Sequence, residues 1–192
     1  MKHVKRLAVY CGSAAGLRPE FAEATRATAA AMIGRGVDLV YGGGRLGLMG
    51  LIADNVLAGG GKVFGVIPRA LVNLEVAHEG VTELHTVDTM HERKAKMTDL
   101  ADAFLAMPGG IGTLDELFEA WSWNALGYHA KPFCLLNVDG FWDGMIAFID
   151  HATESGFLSA QRRSQLLVAA SPEEALEKLD EAAAAATQGM VW

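Results

Sequence analysis

Residues 108–116, Pro108-Gly109-Gly110-Ile111-Gly112-Thr113-Leu114-Asp115-Glu116, hold more groups able to do chemistry than any other stretch of the chain. Three glycines, a hydroxyl and two carboxylates stand between an apolar run, Ala103–Met107, and an amphipathic run, Leu114–Leu126. A strand, a glycine turn and a helix in that order aim free backbone N–H groups at one point. The helix dipole adds positive potential there. The spacing predicts an anion site, most often one for phosphate. Glu116, one turn into the helix, would stand beside whatever carries the phosphate. Held ionised near neutral pH by the dipole, it would act as a nucleophile or general base and not as a general acid. Thr113 and Glu116 also have the spacing of a capping box, in which each side chain bonds the other residue's backbone N–H. Asp115 is favoured at this end by the dipole alone.

A cation is needed opposite such a site. Thr89-Met90-His91-Glu92-Arg93-Lys94 opens the preceding helix, and Met90, Arg93 and Met97 recur on one of its faces with Lys94 alongside. The bland reading is a solvated turn with an Arg–Glu pair. Beside an anion loop, arginine is the natural partner for a phosphate or a catalytic carboxylate. A second glycine turn, Gly42-Gly43-Gly44-Arg45-Leu46-Gly47, matches GxGxxG. It follows the second strand instead of the first, and the next strand ends Ile67-Pro68-Arg69 without the acidic residue that a dinucleotide ribose needs. It is expected to wall a mononucleotide site or simply to form a tight packing turn. Other chemistries fail at the residue level. There is no Gly-Lys-Ser/Thr ending for a Walker loop, Cys11-Gly12-Ser13-Ala14-Ala15 is not a nucleophile elbow, and Ala95 stands where HExxH needs its second histidine.

The elements that position these residues alternate. Strands are expected at Leu7–Cys11, Val37–Tyr41, Lys62–Pro68, Val81–Val87, Ala103–Met107 and Lys131–Asn137. Helices are expected at Pro19–Arg35, Leu48–Ala58, from a cap at Asp88 to about Leu100, at Leu114–Gly127 and Gly140–Gly156, and after the capping sequence Ser171-Pro172-Glu173-Glu174. The pattern predicts an α/β fold: a Rossmann-like parallel sheet with helices on both faces, in a single domain spanning residues 1–192. The last helix is expected to fade into the alanines Ala182–Ala186, with a loosely held tail over Ala182–Trp192, whose Trp192 would dock on a partner subunit. Cys11-Gly12-Ser13 and both glycine turns fall at carboxyl ends of strands, the edge where such sheets bind ligands. Trp121, Trp123, Tyr128 and His129 form an aromatic stripe, expected to be core or subunit interface.

Composition narrows the partners. With 192 residues and 51% apolar, the chain suits one domain with a substantial core. The apolar run behind Met1–Arg6 stops at Cys11-Gly12-Ser13, too soon for a secretory segment. No stretch of the roughly 18 residues a membrane helix needs is free of charge or glycine, so no membrane partner is expected. A net charge of −7 without a basic cluster argues against nucleic acid. The two cysteines, Cys11 and Cys134, suit reduced, buried thiols in the cytoplasm, and with the six scattered histidines they give no metal spacing.

These parts together resemble one family. Cys11-Gly12-Ser13, Tyr41–Gly44 with Gly47–Gly50, Met90-His91-Glu92-Arg93-Lys94, Pro108–Glu116, Trp123–Leu126, His129 and Lys131-Pro132 match, in order, the motifs of the Lonely Guy phosphoribohydrolases, whose bacterial members are often mislabelled lysine decarboxylases. The resemblance implies a Rossmann-like homodimer. It would cleave the N-glycosidic bond of a nucleoside 5′-monophosphate, typically an N6-substituted adenosine monophosphate, to free base and ribose 5-phosphate, with no metal or organic cofactor. It implies Arg93 and Glu116 as the catalytic pair and Gly109, Gly110, Ile111, Gly112 and Thr113 as the phosphate and ribose cradle. Lys94, Glu75, Gly12, Ser13, Gly43 and Met90 would be further substrate contacts. Trp121-Ser122 departs from relatives that often carry a threonine there. Two alternatives stay open: a molybdenum-cofactor or nucleotide carrier without hydrolase activity, and a lysine decarboxylase. The latter would need a lysine placed to form a Schiff base with pyridoxal phosphate.

Overall fold

Short strands joined by crossover connections that return the chain to the same end of the sheet pair side by side and parallel. In the computed structural model, which describes residues 3–72 and 76–188, seven strands do this. They are β1 (Arg6–Tyr10), β2 (Asp38–Tyr41), β3 (Val63–Pro68), β4 (Glu83–Val87), β5 (Ala103–Ala106), β6 (Phe133–Leu136) and β7 (Leu166–Ala169). Their order is β4-β3-β2-β1-β5-β6-β7, with every pair parallel.

Helices cover both faces. Leu7 and Val9 of β1 point into a core shared with α1 (Pro19–Arg35), α2 (Gly47–Ala58) and α7 (Pro172–Gln188), represented by Met32, Ile52 and Leu179. Ala8 and Tyr10 point the other way, toward Met97 of α3 (Met90–Leu100), Leu117 of α4 (Ile111–Ala125) and Ile149 of α5 (Asp143–Glu154). The period-2 alternation of a strand thus divides one sequence between two cores. The expected α/β architecture is present.

Several boundaries differ from the sequence reading, for local reasons. Thr89 caps α3, not Asp88: its hydroxyl accepts from the Glu92 N–H at 3.1 Å while the Glu92 carboxylate reaches back to the Asp88 N–H at 2.9 Å. Helix α4 begins at Ile111, ahead of the expected Leu114. Strand β7 was not expected, because it follows the short helix α6 (Ala160–Gln165) with no glycine or proline to mark the change. Helix α7 continues through Ala182–Ala186 to Gln188, and Trp192 lies outside the described residues.

The strand order places the site. From β1 the chain builds outward through β2 and β3 to β4, then returns to set β5 on the other side of β1. Loops leaving β1 and β5 therefore diverge, and the crevice between them is where such sheets take ligands. Its floor is tied by backbone, the Gly12 N–H donating to the Pro108 carbonyl at 3.1 Å.

Candidate active site

The two glycine turns use their helix N-termini differently. At α2, the Leu48 and Met49 N–H groups donate to the Gly12 carbonyl at 3.0 and 3.3 Å, so this terminus is satisfied within the protein. Gly47 is required there: its φ is 59°, and a Cβ would overlap the Ser13 backbone. The Gly42–Gly47 turn thus welds α2 to the loop after β1. Gly43, expected as a substrate contact, has φ 78° and lies against Ile67 and Leu84, outside the residues that line the cleft.

At α4 the first helical bond is Leu114 N–H to the Gly110 carbonyl, at 3.1 Å. The N–H groups of Ile111, Gly112 and Thr113 precede it, and all three residues line a cleft of about 210 Å³. With Gly110 as the N-cap, Thr113 is the third helical residue and Glu116 the sixth, so the capping box does not form. A turn and a half into α4, Glu116 is beyond the range at which the dipole acts strongly. The charge facing it comes from another element.

That charge is Arg93. Its Nη2 stands 3.7 Å from Glu116 Oε1 and donates to the Gly42 carbonyl at 3.1 Å, while Nη1 lies 3.8 Å from the Met90 sulfur. The side chains are 4% and 10% exposed, so the pair sits in a medium where a charge without a partner is costly. The solvated-turn reading of Arg93 does not hold. Burial raises the Tyr10 hydroxyl well above its ordinary value, with the Glu116 and Glu119 charges adding and Arg93 opposing. Burial, then Glu116, likewise pushes up the Cys11 thiol.

Gly12, Ser13, Met90, Arg93, Gly110, Ile111, Gly112, Thr113 and Glu116 all border this one cleft. Gly109 borders an adjoining cavity of about 220 Å³ lined also by Phe21, Leu48 and Phe141. Lys94 points elsewhere: its Nζ is held 3.0 Å from Asp115 and 2.9 Å from Glu119, tying α3 to α4, and it is not among the cleft residues. Burial acts to lower its pKa, but the bonds to Glu119 and Asp115 outweigh this and raise it. Glu75 lies outside the described residues. Of the expected aromatic stripe, Trp121 is buried against Phe133, while Trp123 meets His91 edge to face. Cys11, Met49 and Leu71 also line the cleft and were not singled out from sequence. Cys11 and Met49 belong to the matched motifs, whereas nothing in the sequence marks Leu71, which arrives on the short 3₁₀ turn after β3.

The arrangement suits a small phosphorylated molecule. The open N-terminus of α4 offers backbone donors to an anion, and the carboxylate paired with Arg93 faces the same cleft. Among the described residues no cluster of side chains could hold a metal ion.

Comparison with known proteins agrees. The family described as "possible lysine decarboxylase" matches residues 49–179. The cytokinin riboside 5′-monophosphate phosphoribohydrolase LOG of Oryza sativa subsp. japonica is 47% identical over 188 residues, covering 98% of this chain and 78% of that protein. Its counterpart LOG2 from Arabidopsis thaliana is 46% identical over 177 residues, covering 92% and 83%. Among solved structures, the molybdenum cofactor binding protein from Rippkaea orientalis superposes with a TM-score of 0.70 at 20% identity, over 94% of this chain and 98% of that one. The molybdenum cofactor carrier protein of Chlamydomonas reinhardtii gives 0.70 at 18%, over 93% and 98%, a likeness of fold. Identity of this extent over nearly the whole chain makes it a member of the Lonely Guy family, the cytokinin riboside 5′-monophosphate phosphoribohydrolases.

Proposed function

We propose that this protein hydrolyses the N-glycosidic bond of nucleoside 5′-monophosphates, typically N6-substituted adenosine monophosphates. Water is consumed, and the products are the free base and ribose 5-phosphate. The observation that carries the reading is the buried Arg93–Glu116 pair, 3.7 Å apart, in the same cleft as the open N-terminus of α4.

The 5′-phosphate binds the N–H groups of Ile111, Gly112 and Thr113, where charge-assisted bonds and the helix dipole act together. The ribose then extends toward Glu116. Cleavage of the glycosidic bond develops positive charge on the ribose, as in other glycosyl transfers, and the Glu116 carboxylate stabilises it. A guanidinium is a donor and a cation and not a general acid, so Arg93 is not the acid for the leaving base. It holds Glu116 in place and offers donors to ribose hydroxyls. A lysine decarboxylase activity is disfavoured, because none of the described residues lining the cleft is a lysine.

Two finer readings go with this one. Phe118, Phe148 and Phe157 are 41%, 68% and 92% exposed around an apolar groove between α4 and α5, which supports a homodimer. Both cysteines are free and buried, which supports a cytoplasmic location. No described helix is long and apolar enough to cross a membrane.

Purified protein incubated with AMP and with isopentenyladenosine monophosphate tests the proposal. Chromatography should show free base from both and essentially none from the unphosphorylated nucleosides. Absence of base release from either nucleotide refutes it.

A further inference from the structure

One buried histidine has no part in the chemistry above. His78 is 4% exposed and is not among the residues that line the cleft. Its backbone N–H donates to the Gly43 carbonyl at 2.9 Å, and the Arg45 N–H donates to the Val76 carbonyl at 2.9 Å, with Gly44 and Ala77 forming an antiparallel bridge between them. A short ladder thus lays residues 76–78 along the glycine turn. The imidazole anchors it: Nδ1 accepts from the Gly80 N–H at 3.2 Å, so Nε2 carries the proton and donates to Asp54 of α2 at 2.9 Å. The next carbonyl along the turn, Gly42, holds the Arg93 guanidinium.

We propose that His78 is a positioning residue: clasped between Asp54 and the Gly80 N–H, it fixes the glycine turn whose Gly42 carbonyl sets Arg93 beside Glu116. This rests on the phosphoribohydrolase reading. Three observations argue for it over simple core filling. Every polar atom of the His78 ring is used, which gives the ring one orientation. The ladder bonds to the turn through backbone, so a shift of residues 76–78 moves the turn itself. Gly42 offers Arg93 no slack, since even a Cβ at that position would overlap the guanidinium.

The test compares wild type, Asp54→Ala and Asp54→Asn as full-length protein, assayed well below each melting temperature. The asparagine oxygen can still accept from Nε2–H, whereas alanine cannot. Asp54→Ala is expected to lower kcat for base release roughly 10-fold, with KM for AMP within about twofold, because a small misplacement of an orienting group acts on the transition state. Asp54→Asn is expected to stay near wild type. The ¹⁵N signal of the Arg93 Nε–H group, assigned with Arg93→Lys, supplies a readout independent of turnover: its hydrogen exchange should quicken roughly 10-fold in Asp54→Ala and not in Asp54→Asn. Unchanged kcat and unchanged Arg93 exchange in Asp54→Ala, with only a lower melting temperature, would make the clasp merely structural and overturn the proposal. Equal losses in both variants would also overturn it. A wild type that releases no base while Arg93 exchange still responds to Asp54→Ala would sink the assigned reaction and leave the clasp standing.

Discussion

Gly42→Ala isolates the placement of Arg93 without touching Arg93 itself. Gly42 is not among the glycines with positive φ, so alanine can take its backbone conformation. The new methyl group would overlap Arg93 Nη2, with Cζ at 3.0 Å and the Met49 sulfur at 3.3 Å. The carbonyl cannot yield, because the turn is bonded on its other side to His78. The guanidinium must withdraw, losing its bond to the Gly42 carbonyl and lengthening the 3.7 Å approach to Glu116. A hydrogen bond from a charged group contributes about 1.5–3 kcal/mol. If that loss falls on the transition state, kcat drops roughly 10- to 150-fold. Stability should fall as well, because the displaced guanidinium is buried and loses a partner. Steady-state base release from AMP, with thermal melting in parallel, reads both effects. Gly34→Ala serves as a control, since a Cβ there meets nothing within 4 Å and alanine suits the interior of α1. Gly42→Ala turning over at the wild-type rate would refute the claim that Arg93 must occupy its observed position.

Three further outcomes follow from the same geometry. Glu116→Gln keeps shape but removes charge, so AMP binding by calorimetry should persist while hydrolysis falls by at least roughly 10²-fold. Gly109→Ala would press on Thr113 Oγ1 and bring a Cβ within 2.9 Å of the Gly12 nitrogen; distortion of the cradle should raise KM for AMP at least roughly tenfold, and an unchanged KM would count against phosphate binding at this turn. Lys94 has its pKa raised above 10.5, the carboxylates of Glu119 and Asp115 outweighing burial. Its contribution to stability is therefore complete below the unfolded lysine value and is lost as pH rises through the folded one. Urea unfolding between about pH 10 and 12 should show wild type losing stability more steeply than Lys94→Met.

Much of the site was legible because its logic is local. A strand, a glycine turn and a helix are contiguous in Ala103–Glu116, so this half of the candidate site could be read from one segment, and Arg93 sat on the helix just before it. The rest was not legible. The start of α4 at Ile111 depends on a few backbone angles, and that small shift decides between a capping box and a carboxylate turned into the cleft. The fate of each glycine turn depends on contacts across the sheet: only folding brings the Gly12 carbonyl to the N-terminus of α2 and leaves that of α4 open. The position of Lys94 could not be read for a similar reason. Its neighbour Arg93 turns toward the cleft, and one residue further around the helix the side chain meets Asp115 and Glu119 instead. The edge strand β7, four residues long and unpunctuated, carries too little pattern to be seen in advance.

The sharing of work around Gly12 has an evolutionary consequence. In the proposed function the groups that would meet the phosphate are main-chain amides, and the loops around them are tied by main-chain bonds from Gly12 to Pro108, Leu48 and Met49. The groups that face the rest of the cleft include the side chains of Cys11, Met49, Leu71 and Met90. Point mutations replace side chains and leave amides in place. On the proposed function, a lineage could therefore exchange one base preference for another through these positions, one substitution at a time, while every intermediate kept its hold on the phosphate.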